Sequence, residues 1–472
     1  MNLDICFLSA KELAHKIKNR ELTAREVMEA FLAQIKKVNP EVNAIVNLNE
    51  EQALKDADLA DKKLQAGEEI GPFHGLPIAI KDTYNVKGLP TTSGFKPFKD
   101  NIAQQDDIVT ERLRNAGAII IGKTNVPEFA AGSHTINKLF GPTRNPYNLA
   151  RSAGGSSGGA AAALASGMLP FADGSDMGGS LRNPGSFNNV IGFRPSPGRV
   201  PSIPRSGLYA TMGVQGPLAR SVEDVAFMLT VLAGPDNRVP LAIDEPGSIF
   251  EQSLDIDLSE IKVAWSPDLD GQIPVLPEVQ KAVEESAKVF EKLGCQVVKA
   301  SPDLTGAEEV FQTIRAHEFA INHEATYKNF KDDLKETMIW NIEKGMNSTR
   351  EDVARAGQLQ VEVYNNMRNF FGEYDIFIMP VSQLPPFDVD LEYPTELNGV
   401  KMDNYISWMQ SAYFVTVTGS PSISVPAGFT EDGLPIGLQI VGPHHADLKV
   451  LQVAHAFEQA TQFGKIKPKI AE

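Results

Sequence analysis

The sequence predicts an α/β protein. Short apolar runs of strand length, at 76–80, 118–121, 261–265 and 376–380, are each bounded by glycine, proline or charge. Stretches of helical length alternate with them. The succession strand 261–265, helix 277–293 with proline in its first turn, strand 295–298 is a βαβ pattern, which implies parallel strands. With 472 residues, 42% of them apolar, there is material for one large core or for two domains.

Taken in order, Ser9-x-x-Glu12 and Thr23-x-x-Glu26 are capping boxes that open amphipathic helices at 10–18 and 24–37, and Glu50–Gln65 reads as a third helix. The strand 76–80 ends in Lys81-Asp82, and a lysine at the end of a buried strand is costly unless paired or deprotonated. On position alone, Lys81 either points to solvent past the strand or is buried for a purpose. Residues 110–115 read as a helix. Gly117-Ala-Ile-Ile-Ile-Gly122-Lys123-Thr124 matches a phosphate-loop pattern, but three isoleucines prefer an extended strand and Pro127 follows at once.

Further along, helices are expected at 221–232, 308–331, 350–371 and 449–461, and strands at 414–418, 422–426 and 437–441. The proline-rich segments 194–204 and 385–394 read as loops. His317 and His323 are six positions apart and so do not share a helix face as a zinc motif requires.

Composition narrows the class. A net charge of −16, with no basic run, argues against nucleic-acid binding. Cys6 and Cys295 are too few for a disulfide framework. The first residues lack the features of a signal peptide, and no segment approaches a membrane span. The expectation is a soluble, cytoplasmic protein.

The richest stretch runs from Arg151 to Pro184, where two Gly/Ser clusters flank an alanine-rich helix at 160–165. Three serine motifs compete as sites. Gly155-Ser-Ser157-Gly-Gly159 fits a nucleophile elbow, yet polar residues precede it and no histidine partner is evident. Ser93-Gly-Phe-Lys96 lacks the companion motifs that its pattern requires. Ser180 follows Gly178-Gly179, whose unshielded N–H groups can face an oxyanion beside an attacking hydroxyl. With no histidine at hand, Lys81 is the unusual candidate for the base.

Gly154-Gly-Ser-Ser-Gly-Gly, the 24-position step from Ser156 to Ser180, Gly174-Ser-Asp-Met-Gly-Gly-Ser-Leu-Arg and the upstream Gly75-Leu-Pro-Ile-Ala-Ile-Lys81-Asp82 together resemble the amidase signature family. Gly122-Lys-Thr-Asn, Phe140-Gly-Pro-Thr-Arg-Asn-Pro-Tyr and Gly433-Leu-Pro-Ile-Gly-Leu-Gln extend the likeness over nearly the whole chain. The resemblance implies a large mixed, mostly parallel β-sheet covered by helices on both faces. It also implies a single domain 1–472: a helical wrap 1–70, a core 71–220 carrying the signature, and the remaining sheet and pocket helices in 221–472.

By the same resemblance Ser180 is the nucleophile, Ser156 a relay preceded by a cis peptide bond, and Lys81 the base. Met177, Gly178, Gly179 and Ser180 supply the oxyanion hole, while Ser157, Asp176 and Arg182 support the loops. Lowering a lysine from ~10.4 to about 7, so that it can act as base, takes about 4–5 kcal/mol, which burial can supply. The implied reaction cleaves an amide through a seryl acyl-enzyme, with neither metal nor cofactor.

The partners expected are a small-molecule amide and water, without nucleic acid or membrane, for a monomer or homodimer. Small, aryl or hydrophobic acyl amides are the substrates expected, with esters and carbamates as side reactions. His134, Met177, Trp408 and Tyr413 are expected in the pocket, beneath segments 134–140 and 195–209, helices after Thr313 and segment 405–413. Met177 replaces the threonine of many relatives, and Asn183-Pro184 and Ser186-Phe-Asn-Asn189 also depart from the common wording. The rival readings are the glutaminase component of a tRNA-dependent amidotransferase and a non-catalytic protein using the glycine loops as an anion nest.

Overall fold

The computed structural model describes residues 3–203 and 206–472. Its main sheet has eight strands in the order Gln296–Lys299, Lys262–Trp265, Ile376–Pro380, Pro435–Val441, Ser422–Phe429, Ile191–Arg194, Val214–Ala219, Phe171–Asp176. The sheet is mixed, as expected, but its pairings are mostly antiparallel rather than mostly parallel. Only the two pairings around Lys262–Trp265 are parallel. The βαβ signal that suggested parallel strands belongs to that end alone. Elsewhere tight returns, such as the turn between Ser422–Phe429 and Pro435–Val441, force antiparallel neighbours.

Side-chain alternation explains why both faces are covered. In Ile376–Pro380, Ile376 and Ile378 join the core formed with the helices Val222–Leu232, Pro277–Lys292 and Asp447–Thr461. Phe377 and Met379 face the opposite core, with Phe311, Val363 and Tyr413.

A second sheet of three strands, Ile45–Val46, Ile119–Thr124 and Pro77–Lys81, stands apart. Here Pro77–Lys81 and Ile119–Thr124 pair in parallel across the helix Ile108–Asn115. The N-terminal helices Ala10–Lys18 and Glu50–Gln65 form as read, while the helix expected at 24–37 runs on through Pro40 to Val42. Thr23 and Glu26 complete a capping box, whereas Ser9 caps alone.

The expected strand 414–418 is instead the end of a helix, Gln410–Thr418. Its β-branched residues favour a strand, but every residue from Ser411 to Thr418 is buried, so no amphipathic period marks it as helical. The helix Glu336–Met346 falls outside the helices expected. Among the described residues no helix is long and apolar enough to cross a membrane.

Three elements converge on one point: the end of Pro77–Lys81, the end of Phe171–Asp176, and the start of the alanine helix Gly158–Ala165. The helix packs so closely that a Cβ on Gly159 would lie 2.4 Å from the Asn125 nitrogen.

Candidate active site

Lys81 is fully buried, and its Nζ lies 2.8 Å from Ser156 Oγ, 2.8 Å from Ser157 Oγ and 2.9 Å from Ser175 Oγ. Burial pushes its pKa down to about 7, against the pull of Asp173 and Asp176. The Gly155–Ser156 peptide bond is cis, at the position the resemblance indicated. Ser157 is wholly buried, so it cannot be the exposed serine of a nucleophile elbow, although the strand Asn148–Ser152 does precede it. Sequence reading missed Ser175. It lies in Phe171–Asp176 two positions after Asp173, and strand alternation puts both on the face toward Lys81.

The turn 177–180 follows that strand and is held by Asp176. The Asp176 carboxylate accepts from the Gly179 and Leu181 amides at 3.0 and 3.1 Å, and from Arg182 Nε and Nη2 at 3.0 and 2.8 Å. Arg194 Nη1 donates to the Asp176 carbonyl at 2.5 Å. Burial alone would raise the Asp176 pKa, but Arg182 and Arg194 hold the carboxyl well below the usual range. Arg182 continues to the Ala412 carbonyl and Gln439 Oε1, at 2.8 and 2.5 Å.

Within the turn Gly179 has φ +102°, and an added Cβ would meet Ala412 Cβ and Asn183 Nδ2 at 2.6 Å. Its N–H, expected in the oxyanion hole, is already engaged by Asp176. The Met177, Gly178 and Ser180 amides donate to no acceptor among the described residues. Ser180 is half-buried and opens, with Ser156, Ser175, Met177 and Gly178, onto a cavity of about 690 Å³.

A family model described as Amidase matches residues 26–451. The chain belongs to the amidase signature family. It is 37% identical to an acylamidase of Rhodococcus erythropolis, over 98% of this chain and 97% of the relative. It is 34% identical to the A subunit of the glutamyl-tRNA(Gln) amidotransferase of Carboxydothermus hydrogenoformans, over 99% and 100%. A bacterial aryl acylamidase structure superposes with a TM-score of 0.92 at 30% identity, covering 97% of this chain and 98% of that one. This amidase is therefore an amide-hydrolysing enzyme.

The amidase cavity departs from the expected pocket. Met177 lines it, but His134, Trp408 and Tyr413 do not. His134 is buried between the Val389 carbonyl and Ser152 Oγ, at 2.9 and 2.7 Å, and desolvation pushes its pKa down to about 4. His134 and Trp408 border a separate void of about 10 Å³. Tyr413 stands behind Phe311, stacked on it with centroids 4.2 Å apart. Aromatic content marks the core here as strongly as the pocket.

The walls come instead from Phe129, Met409 and the helix Ala307–Phe330, which contributes Phe311, Arg315, Glu318 and Phe319. Ser202, Ile203 and Ser206 of the expected loop 195–209 also reach the cavity, while Pro204 and Arg205 lie outside the described residues. The phosphate-loop look-alike is the strand Ile119–Thr124, with Lys123 fully buried 3.6 Å from Asp82 Oδ1. Lys123 therefore faces no phosphate.

Proposed function

We propose that this amidase is a free-standing hydrolase of aryl or hydrophobic acyl amides, acting through an acyl-enzyme on Ser180. The observation that carries the reading is the fully buried Lys81 with Nζ 2.8 Å from Ser156 Oγ. A lysine with a pKa of about 7 is substantially neutral at neutral pH and can accept a proton. Ser156 gives its proton to Lys81 and takes that of Ser180 as Ser180 Oγ attacks the carbonyl carbon. The Met177, Gly178 and Ser180 amides receive the developing oxyanion. Return of the proton through Ser156 lets the amine leave, and water then attacks the ester by the same relay.

The aromatic and thioether wall of Phe129, Phe311, Phe319, Met177 and Met409 favours an apolar acyl group, and esters and carbamates offer the same electrophilic carbon. Full-length likeness to an amidotransferase component favours a second reading, a glutaminase acting with partner proteins. Hydrolysis of anilides, aliphatic amides and glutamine by the purified chain alone tests both. Turnover of anilides without partners supports the first reading. Activity on glutamine only, and only with partners, supports the second.

A further inference from the structure

Beside the lysine lies a carboxylate that none of these steps uses. Asp173, in the strand Phe171–Asp176, is 1% exposed. Its Oδ1 accepts the backbone N–H of Lys81 at 3.0 Å, while Oδ2 has no hydrogen-bond partner among the described residues. A buried carboxylate oxygen without a partner is rare enough to call for an explanation. Lys81 itself has no carboxylate within ion-pair distance among the described residues, and three hydroxyls surround its Nζ.

The charges around Lys81 are few. Asp173 and Asp176 act on it from one strand, and Asp173 acts more strongly. Asp176 is committed to Arg182 and Arg194. From Ile119–Thr124 comes Lys123, which pairs with Asp82 and also feels Asp173 and Asp107. Tyr84 adds a buried phenol whose pKa is raised by burial. The loop leading into the alanine helix brings the hydroxyls of Ser156 and Ser157. Asp173 is thus the countercharge on Lys81 that no arginine claims.

We propose that Asp173 is a positioning residue for amide hydrolysis. Oδ1 fixes the backbone of Lys81 so that Nζ reaches Ser156, and the carboxylate offsets the ammonium formed when the Ser156 O–H bond breaks and the Lys81 N–H bond forms. The inference rests on Lys81 as the base. Lys81 itself is wholly buried, so an ammonium arising on it is stabilised chiefly by a charge already in place. Burial pushes Asp173 itself up to about 6, opposed by the Lys81 N–H and by the charges of Lys81 and Lys123.

Asp173→Asn keeps the size and an acceptor for the Lys81 amide but removes the charge. The expected result is a lysine that binds its proton less tightly. The acid limb of kcat/KM then moves down by about one pH unit, and kcat at the optimum falls about tenfold, with KM for a neutral anilide nearly unchanged. The pH dependence of Ser180 labelling by a phosphonate reads the same shift without turnover. Asp173→Ser, smaller and uncharged, serves if the asparagine variant does not fold, and the same shift is expected. An acid limb left in place in the folded variant overturns the proposal, since a merely structural role lowers the rate without moving the limb. If Lys81→Ala retains the wild-type limb, the assignment of the base fails instead.

Discussion

The Ser157 amide donates to the Ser180 carbonyl at 3.2 Å, so the loop carrying Ser156 and the turn carrying Ser180 are tied backbone to backbone. Lys81 bonds both serines of the first loop. A lysine from one sheet and a turn from another are thereby held in one frame.

Removal of the proposed nucleophile should leave only background turnover. Ser180→Ala is expected to lose activity most, Lys81→Ala nearly as much, and Ser156→Ala somewhat less, with losses of about 10²–10⁴-fold for the proton-transfer residues. Steady-state kinetics on an anilide rank them. Full activity in Ser180→Ala would sink the assignment.

The rate should follow deprotonation of Lys81. Its pKa is lowered to about 7, so kcat/KM is expected to rise with pH and reach half its plateau near that value. A profile flat down to about pH 5 excludes Lys81 as the base.

The buried lysine also weakens the fold. The unfolded chain keeps its proton up to 10.5 and the native site releases it at about 7, so the native state is penalised by about 4 kcal/mol at neutral pH. Because the unfolded state binds more protons between those values, stability rises with pH across that window. Lys81→Met is expected to be inactive yet to unfold at higher urea than the wild type at pH 7, with the difference shrinking toward pH 10. The gain is reduced by what Ser156, Ser157 and Ser175 lose as partners and by the loss of the lysine charge beside the buried Asp173.

Arg182→Met should act in the opposite sense. It leaves Asp176 with Arg194 alone in a site with no solvent access, at a cost of about 3–5 kcal/mol. Urea denaturation measures it, and a cost below about 1 kcal/mol contradicts the bracing role.

Selectivity should depend on Phe311, whose ring lies against Gly178 and stacks on Tyr413. Phe311→Ala is expected to lower kcat/KM for aryl acyl amides at least tenfold and for acetyl amides much less. Equal losses on both would place Phe311 in support of the turn rather than in selection.

What could be read from the sequence depended on where the physical signal was local. Capped helices such as Ala24–Val42 announce themselves through Thr23 and Glu26, and apolar strands such as Ile376–Pro380 through burial on both faces. The strand Phe171–Asp176 reads as a loop because its two aspartates, glycine and serine serve the site instead of the sheet. Ser175 and Asp173 were hidden with it. The lysine–serine geometry was legible only through the ordered motifs, since nothing in the spacing of Lys81 and Ser156 brings them together without the fold. The pocket failed for a different reason: Trp408 and Tyr413 are aromatic residues packed behind the wall, and sequence does not tell the front of a wall from its back.

The Arg182 side chain that steadies the 177–180 turn bonds Ala412, Thr416 and Gln439, more than two hundred positions downstream. A chain emerging from the ribosome therefore carries Lys81, Ser156 and Ser180 long before it can complete the bracket around the 177–180 turn. The strand Pro435–Val441 that delivers Gln439 completes that bracket only near the end of synthesis.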